Sequence, residues 1–257
     1  RVDLQSAAYG RREGCLGAGR VGAVLAASLR SAGHEVVSVA GESDASRGRI
    51  ADLLPGVSID KPSAVARDCD LLLLTVPDDM LGNVVSVLAN SGALHEGQYV
   101  VHTSGRHGLA ILAPAIAVGA RAIALHPAMT FTGTGVDLER LGGCTFGLTA
   151  EAEEREVAAQ LVADLGGSTM WVPETRRTLY HAGLAHAFGD GEAHFAQHSG
   201  EFGRGARFLK AQFRVGVKVA VQLHQFGHVL RQILAHLIGA RGRCQHGDHG
   251  GSGHQQR

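Results

Sequence analysis

Three side chains able to move protons or orient a substrate stand where apolar strands should end. His102 and Ser104 follow Gln98-Tyr99-Val100-Val101, and His126 follows Ala122-Ile123-Ala124-Leu125. An imidazole titrates near neutral pH and both donates and accepts, so it suits a step in which hydride transfer must be matched by a proton. Open α/β sheets bind ligands beyond the carboxyl ends of their strands, which is where these residues fall. A second chemical signal is Leu16-Gly17-Ala18-Gly19-Arg20-Val21-Gly22, followed by an apolar run to Leu29. It reads as a glycine-rich turn opening a helix. Gly17 can take backbone angles closed to side chains, Gly19 admits a pyrophosphate, and Gly22 lets the helix pack close to a strand. Unpaired N–H groups at the helix start, with the positive end of its dipole, suit phosphate. Gly17, Ala18, Gly19, Arg20, Val21 and Gly22 are therefore the expected dinucleotide cradle.

The elements around these residues set their positions. After the helix come a Gly33-His34 break and the β-branched run Glu35–Ala40, giving turn, helix, loop and strand at βαβ spacing. Enzymes using NAD often place an acid at the tip of this second strand, whereas those using NADP place Ser and Arg nearby. Ser43 and Arg47 follow the tip here, with Arg49 beyond, so NADP is the expected cofactor and NAD the alternative. Asp70–Val76 is a continuous apolar run, the pattern of a strand buried on both faces. It ends at Val76-Pro77, expected to flank the nicotinamide ribose.

Further strands are expected at 98–105, 120–131, 144–149 and 169–173. Helices are expected at 79–90, 107–117 and 151–165, with Pro114 shortening or bending the second. The sum is an α/β domain with a doubly wound, largely parallel Rossmann-like sheet over residues 1–174. A smaller helical region should follow over 175–241, and a disordered Gly/His/Gln tail over 242–257. Residues 1–14 are polar and without period, so the strand before the glycines is expected to be poor.

The 257 residues carry a formal net charge of +0, which points away from nucleic acid and from a membrane surface. The apolar runs are too short or too interrupted to span a bilayer. Cys15, Cys69, Cys144 and Cys244 form no CxxC pair, which fits a reducing cytoplasm and argues against a zinc knuckle.

Gly17–Gly22, Leu71–Asp79 ending Val-Pro-Asp-Asp, Val101-His102-Thr103-Ser104-Gly105 and Leu125-His126-Pro127-Ala128-Met129-Thr130-Phe131 occur together, and Leu179-Tyr180-His181-Ala182 follows. The chain resembles the Rossmann-like oxidoreductases that carry the domain of unknown function DUF2520, relatives of 6-phosphogluconate dehydrogenase and pyrroline-5-carboxylate reductase. The resemblance covers roughly residues 15–186. It implies an NAD(P)-binding domain and a helical C-terminal domain that often forms a homodimer, acting on a small-molecule substrate. Catalytic candidates are His126, Ser104 and His102, and Tyr180 and His181 could close over the site. Several enzymes of the superfamily use a Lys with an Asn one turn later. The lysines here are Lys61, Lys210 and Lys218, none in a comparable setting. A non-catalytic dinucleotide sensor is therefore the alternative to an oxidoreductase.

Beyond about residue 187 the pattern changes to Gly-, His- and Phe-rich text. One expectation is that this stretch, and perhaps 1–14, is read out of frame. Another is a helix over 219–238 in which His224 and His228 share a face; with no third ligand, no metal site is expected.

Overall fold

The computed structural model describes residues 11–185. Its strands are β1 (Arg12–Leu16), β2 (Glu35–Ala40), β3 (Ser58–Ile59), β4 (Leu71–Leu74), β5 (Tyr99–His102), β6 (Arg121–Pro127), β7 (Thr145–Ala150) and β8 (Ser168–Trp171). The helices are α1 (Arg20–Ser31), α2 (Asp44–Leu53), α3 (Pro62–Arg67), α4 (Asp78–Asn90), α5 (Ala113–Ala117), α6 (Val136–Leu141) and α7 (Arg155–Asp164). A further helix runs over 177–185. The chain divides into two units, Arg1–Ala182 and Gly183–Arg257, and the sheet and all site residues belong to the first. The expected helix with His224 and His228, the tail, the altered reading frame and the dimer-forming helical region lie outside the described residues.

The eight strands form one sheet in the order β3-β2-β1-β4-β5-β6-β7-β8. Every neighbouring pair is parallel except β6 and β7. The strand period of two explains how both faces are filled. Leu71 and Leu73 of β4 join the core under α1 and α7, whereas Leu72 and Leu74 join the core under α3, α4 and α5. Val100 and Val101 of β5 divide in the same way. Such two-sided burial is why β4 reads as an unbroken leucine run. The carboxyl ends of β1, β4, β5 and β6 share one edge of the sheet. Because β7 runs the other way, its start meets them there, with Gly147 in register with His126.

The strand before the glycine loop corrects the expectation of an irregular segment through residue 14. β1 is a central strand, paired with β2 on one side and β4 on the other. Its polar appearance has two causes. Glu13 is buried, with a carboxylate oxygen 2.5 Å from His34 Nδ1, and His34 Nε2 lies 3.0 Å from Asp164 of α7. An acidic residue thus fills a core position because a histidine meets it there. Gly14 faces α3, where a β-carbon would run into Val65 and Cys69, so the missing side chain is what lets α3 pack.

Candidate functional site

The glycine loop is built by its neighbours. The N–H groups of Gly17 and Ala18 both donate to the Ala40 carbonyl at the end of β2, at 3.1 and 3.0 Å. Gly17 has φ +92°, a region that disfavours side chains, so the turn requires it. Thr75, one residue past β4, donates its hydroxyl to the carbonyls of Leu16 and Gly17 at 3.0 and 2.6 Å. A β-carbon on Gly22 would overlap both that hydroxyl and the Gly17 carbonyl oxygen. Close packing of α1 on the strand exits therefore depends on Gly22.

This end of α1 fits a dinucleotide phosphate. Gly19 caps the helix with no side-chain hydrogen bond, and no acidic residue stands in the first turn. In front of Gly19 the space is open, the nearest obstacle to a β-carbon being the Gly17 carbonyl at 3.8 Å. By contrast, α4 begins with Asp78 and Asp79, which already answer its dipole. Ala18 is buried and Arg20 is exposed at the helix mouth; Val21 is partly buried against the core. Val76 is half-buried and Pro77 exposed, at the exit of β4 beside the loop.

Ser43 caps α2, its hydroxyl accepting from the Ser46 N–H at 3.1 Å. Ser43 and Arg47 are both exposed. Arg49, a sequence neighbour of Arg47, approaches the cradle. A β-carbon on Gly133 would meet Arg20 Cγ at 2.7 Å and Arg49 Nε at 2.8 Å. The loop carrying Gly133 is held by Asp137, which is fully buried and accepts from the Thr132 N–H, the Thr132 hydroxyl and the Gly133 N–H at 2.7–3.0 Å. Neither Asp137 nor Thr75 stood out in the sequence, because both act on backbone that only the fold brings near.

The strand-exit histidines part company. His102 is fully buried; its Nε2 donates to the Gly108 carbonyl at 2.9 Å and its Nδ1 accepts from the Ser104 N–H at 3.1 Å. Burial, above all, pushes it down to about 4, so it is a neutral staple of the 103–108 turn. With both nitrogens committed, it has nothing left to offer a substrate. Of the three catalytic candidates, His102 is the one whose ring nitrogens are both engaged by backbone groups. Ser104 is also buried, and its hydroxyl accepts from the His107 N–H at 3.2 Å, leaving its own proton to give.

His126 is half-buried, and its Nδ1 lies 2.9 Å from the Tyr180 hydroxyl. Burial, then the charges of Arg177 and its histidine neighbours, push it down to about 3. Arg177 is the largest fully buried side chain and was missed as a site residue. It donates to the Thr149 hydroxyl at 2.7 Å and to the carbonyls of Ala124 and Gly147, both at 3.0 Å, tying β6 to β7. Burial lowers its proton affinity only to about 10, so it carries its charge at neutral pH. Among the described residues no carboxylate forms an ion pair with it, although the Glu174 carboxylate acts on it from a distance, and its charge is felt at His126. Nothing in sequence spacing links residue 177 to residue 126.

A parallel sheet whose first helix opens on a glycine turn, with polar groups at neighbouring strand exits, defines the dinucleotide-binding oxidoreductase fold. Residues 3–127 match the model of a Rossmann-like domain, and residues 144–191 match that of a domain of unknown function, DUF2520. The chain thus carries a Rossmann-like domain followed by a match to DUF2520.

Its structure is similar to a candidate NADP oxidoreductase from Bacteroides fragilis. The TM-score is 0.62 at 16% identity, over 85% of this chain and 81% of that one. It is also similar to prephenate dehydrogenase from Aquifex aeolicus (TM-score 0.58, 17% identity, 91% and 92% covered), described in complex with hydroxyphenyl propionate and NAD+. Pyrroline-5-carboxylate reductase from Coxiella burnetii gives a TM-score of 0.56 at 18% identity, with 91% and 92% covered. At these identities the likeness is one of fold. No curated protein matches the sequence. Among the described residues, no helix is long and apolar enough to cross a membrane. No group of three or more His, Cys, Asp or Glu among them could hold a metal.

Proposed function

We propose that this protein is an NAD(P)-dependent oxidoreductase that transfers hydride between a nicotinamide dinucleotide and a small-molecule substrate. The observation that carries the reading is the uncapped, acid-free amino end of α1 behind Gly17–Gly22. There the space in front of Gly19 is open, and the positive end of the helix dipole suits a phosphate. Gly17, Ala18, Gly19, Arg20, Val21 and Gly22 hold the pyrophosphate, and Val76 and Pro77 border the nicotinamide ribose. The cofactor, when bound, supplies or accepts the hydride. His126 and Ser104 serve the substrate side. Reading 1–174 as the dinucleotide-binding domain, a cytoplasmic location and a homodimer through the helical region belong to the same proposal.

Ser43 and Arg47, exposed beyond the tip of β2, support NADP. Fluorescence titration of the full chain with NADPH and NADH tests this. Arg47→Ala should weaken NADPH about 10- to 100-fold, the worth of one charge-assisted hydrogen bond to a phosphate, and leave NADH unchanged. Equal effects on both nucleotides would remove Arg47 from the 2′-phosphate. Failure of either nucleotide to bind the unaltered chain would remove the oxidoreductase reading.

A further inference from the structure

We propose that Tyr180 is a positioning residue that holds His126 with its proton on Nε2, from which a substrate carbonyl oxygen takes that proton. The inference rests on the hydride-transfer reading above. The Tyr180 and His126 rings meet edge to face, with centroids 5.6 Å apart at 88°. The hydroxyl lies against Gly147, where a β-carbon would stand 2.5 Å from the phenol oxygen, so that glycine makes room for the contact. Among the described residues, His126 Nδ1 is the one acceptor within hydrogen-bond distance of this hydroxyl. Were Nδ1 protonated, it would donate to the phenol oxygen and leave the phenol proton without a partner, which is costly in a buried setting. The phenol therefore donates, Nδ1 accepts, and the proton of the neutral imidazole sits on Nε2.

Nε2 has no partner among the described residues. A β-carbon on Gly105 would lie 2.9 Å from it and 2.8 Å from His181 Nδ1. That second nitrogen is buried and also without a hydrogen-bond partner among the described residues. Both imidazole rings thus pack against the Gly105 backbone, an approach that any side chain at this position would block.

The proton movement balances. As negative charge develops on the substrate oxygen, the His126 Nε2–H bond breaks and an O–H bond forms. The Tyr180 proton passes to Nδ1, so the imidazole stays neutral. The phenolate left behind faces the Arg177 guanidinium, 5.8 Å from its ring, and regains a proton from water. Burial makes the Tyr180 hydroxyl a weaker acid than a free phenol, but a nascent alkoxide is a stronger base still. An Nε2–H donor suits a carbonyl oxygen, which accepts a hydrogen bond, and the alcohol made from it.

The test is 15N NMR of the histidine side chains in the full chain and in Tyr180→Phe. The unaltered protein should show His126 protonated at Nε2 and bare at Nδ1 across neutral pH. In Tyr180→Phe the Nδ1-protonated tautomer should appear. An Nδ1-protonated His126 in the unaltered chain, or no change on substitution, would overturn the proposal. If Tyr180→Phe does not fold, fluorotyrosine at position 180 replaces it, and the stronger phenol donor should shift the Nδ1 resonance; an unmoved resonance counts against the proposal. With NADPH and a panel of aldehydes and 2-oxo acids, Tyr180→Phe should lower kcat about 100-fold and change KM little. The expected tautomer without turnover of any carbonyl would preserve the positioning role and defeat the hydride-transfer reading.

Discussion

Replacing His34 with alanine is expected to lower the stability of the protein by about 3–5 kcal/mol, the usual cost of stranding a buried charge. His34 stands between Glu13 and Asp164, and its side chain and that of Glu13 are each only 4% exposed. Removing the imidazole leaves the Glu13 carboxylate in the core of a central strand without the group that lies against it. Chemical denaturation of both forms measures the loss. Glu13→Gln in the His34→Ala background should recover part of it, because the amide carries no charge to strand. Full additivity of the two changes would show that the residues do not interact.

The same cluster sets a pH dependence. His34 is shifted up, first by its bond to Glu13 and in spite of burial, and Glu13 is shifted up by burial. Both groups bind protons more tightly folded than unfolded. Stability from each is then complete below its unfolded value and is lost as pH rises through its folded value. For Glu13 the loss begins above about pH 4.5, and for His34 above about 6.5. Stability should therefore fall as pH climbs from about 4.5 and further from about 6.5, and His34→Ala should flatten the upper part of that slope. A slope unchanged by the substitution would place the titration elsewhere.

The second large effect is expected at Gly22. A β-carbon there collides with the Thr75 hydroxyl and with the backbone oxygen of Gly17, and the backbone oxygen cannot swing aside. Gly22→Ala should push α1 off the strand exits, cost about 1–3 kcal/mol of stability, and break the register of the cradle. Nucleotide affinity should fall at least about 100-fold, or roughly 2.7 kcal/mol. Gly48→Ala is the control for stability, since nothing lies within 4 Å of a β-carbon at that exposed helical position. It should stabilise the protein by up to about 1 kcal/mol. Isothermal calorimetry with NADPH, beside thermal melts, separates loss of binding from loss of fold. Undiminished affinity in Gly22→Ala would mean that the close approach of α1 is irrelevant to the ligand.

Much of this architecture was legible because local pattern and burial agree. The leucines of β4 announce a strand covered on both faces, and Gly17–Gly22 announces its turn. The element order follows from strands alternating with helices through Trp171. What was illegible depended on partners far away in the chain. β1 looks poor until His34 and Asp164 are seen to neutralise Glu13, and a pattern of apolar residues carries no trace of that pairing. His102 and His126 look alike at their strand exits. Only the turn at 103–108, which consumes both nitrogens of His102, and Tyr180, which engages one nitrogen of His126, tell them apart. Arg177 reads as an ordinary first-turn residue of a helix, yet three strand-edge acceptors draw it into the interior.

The central claim is that the glycine loop before α1 is a dinucleotide cradle. Backbone-amide hydrogen exchange of the full chain, with and without saturating NADPH, tests it most directly. Protection should rise at Gly17–Gly22, with smaller increases around Ser43–Arg47 and Val76–Pro77. Protection unchanged at Gly17–Gly22, with NADPH bound elsewhere or not at all, would contradict it.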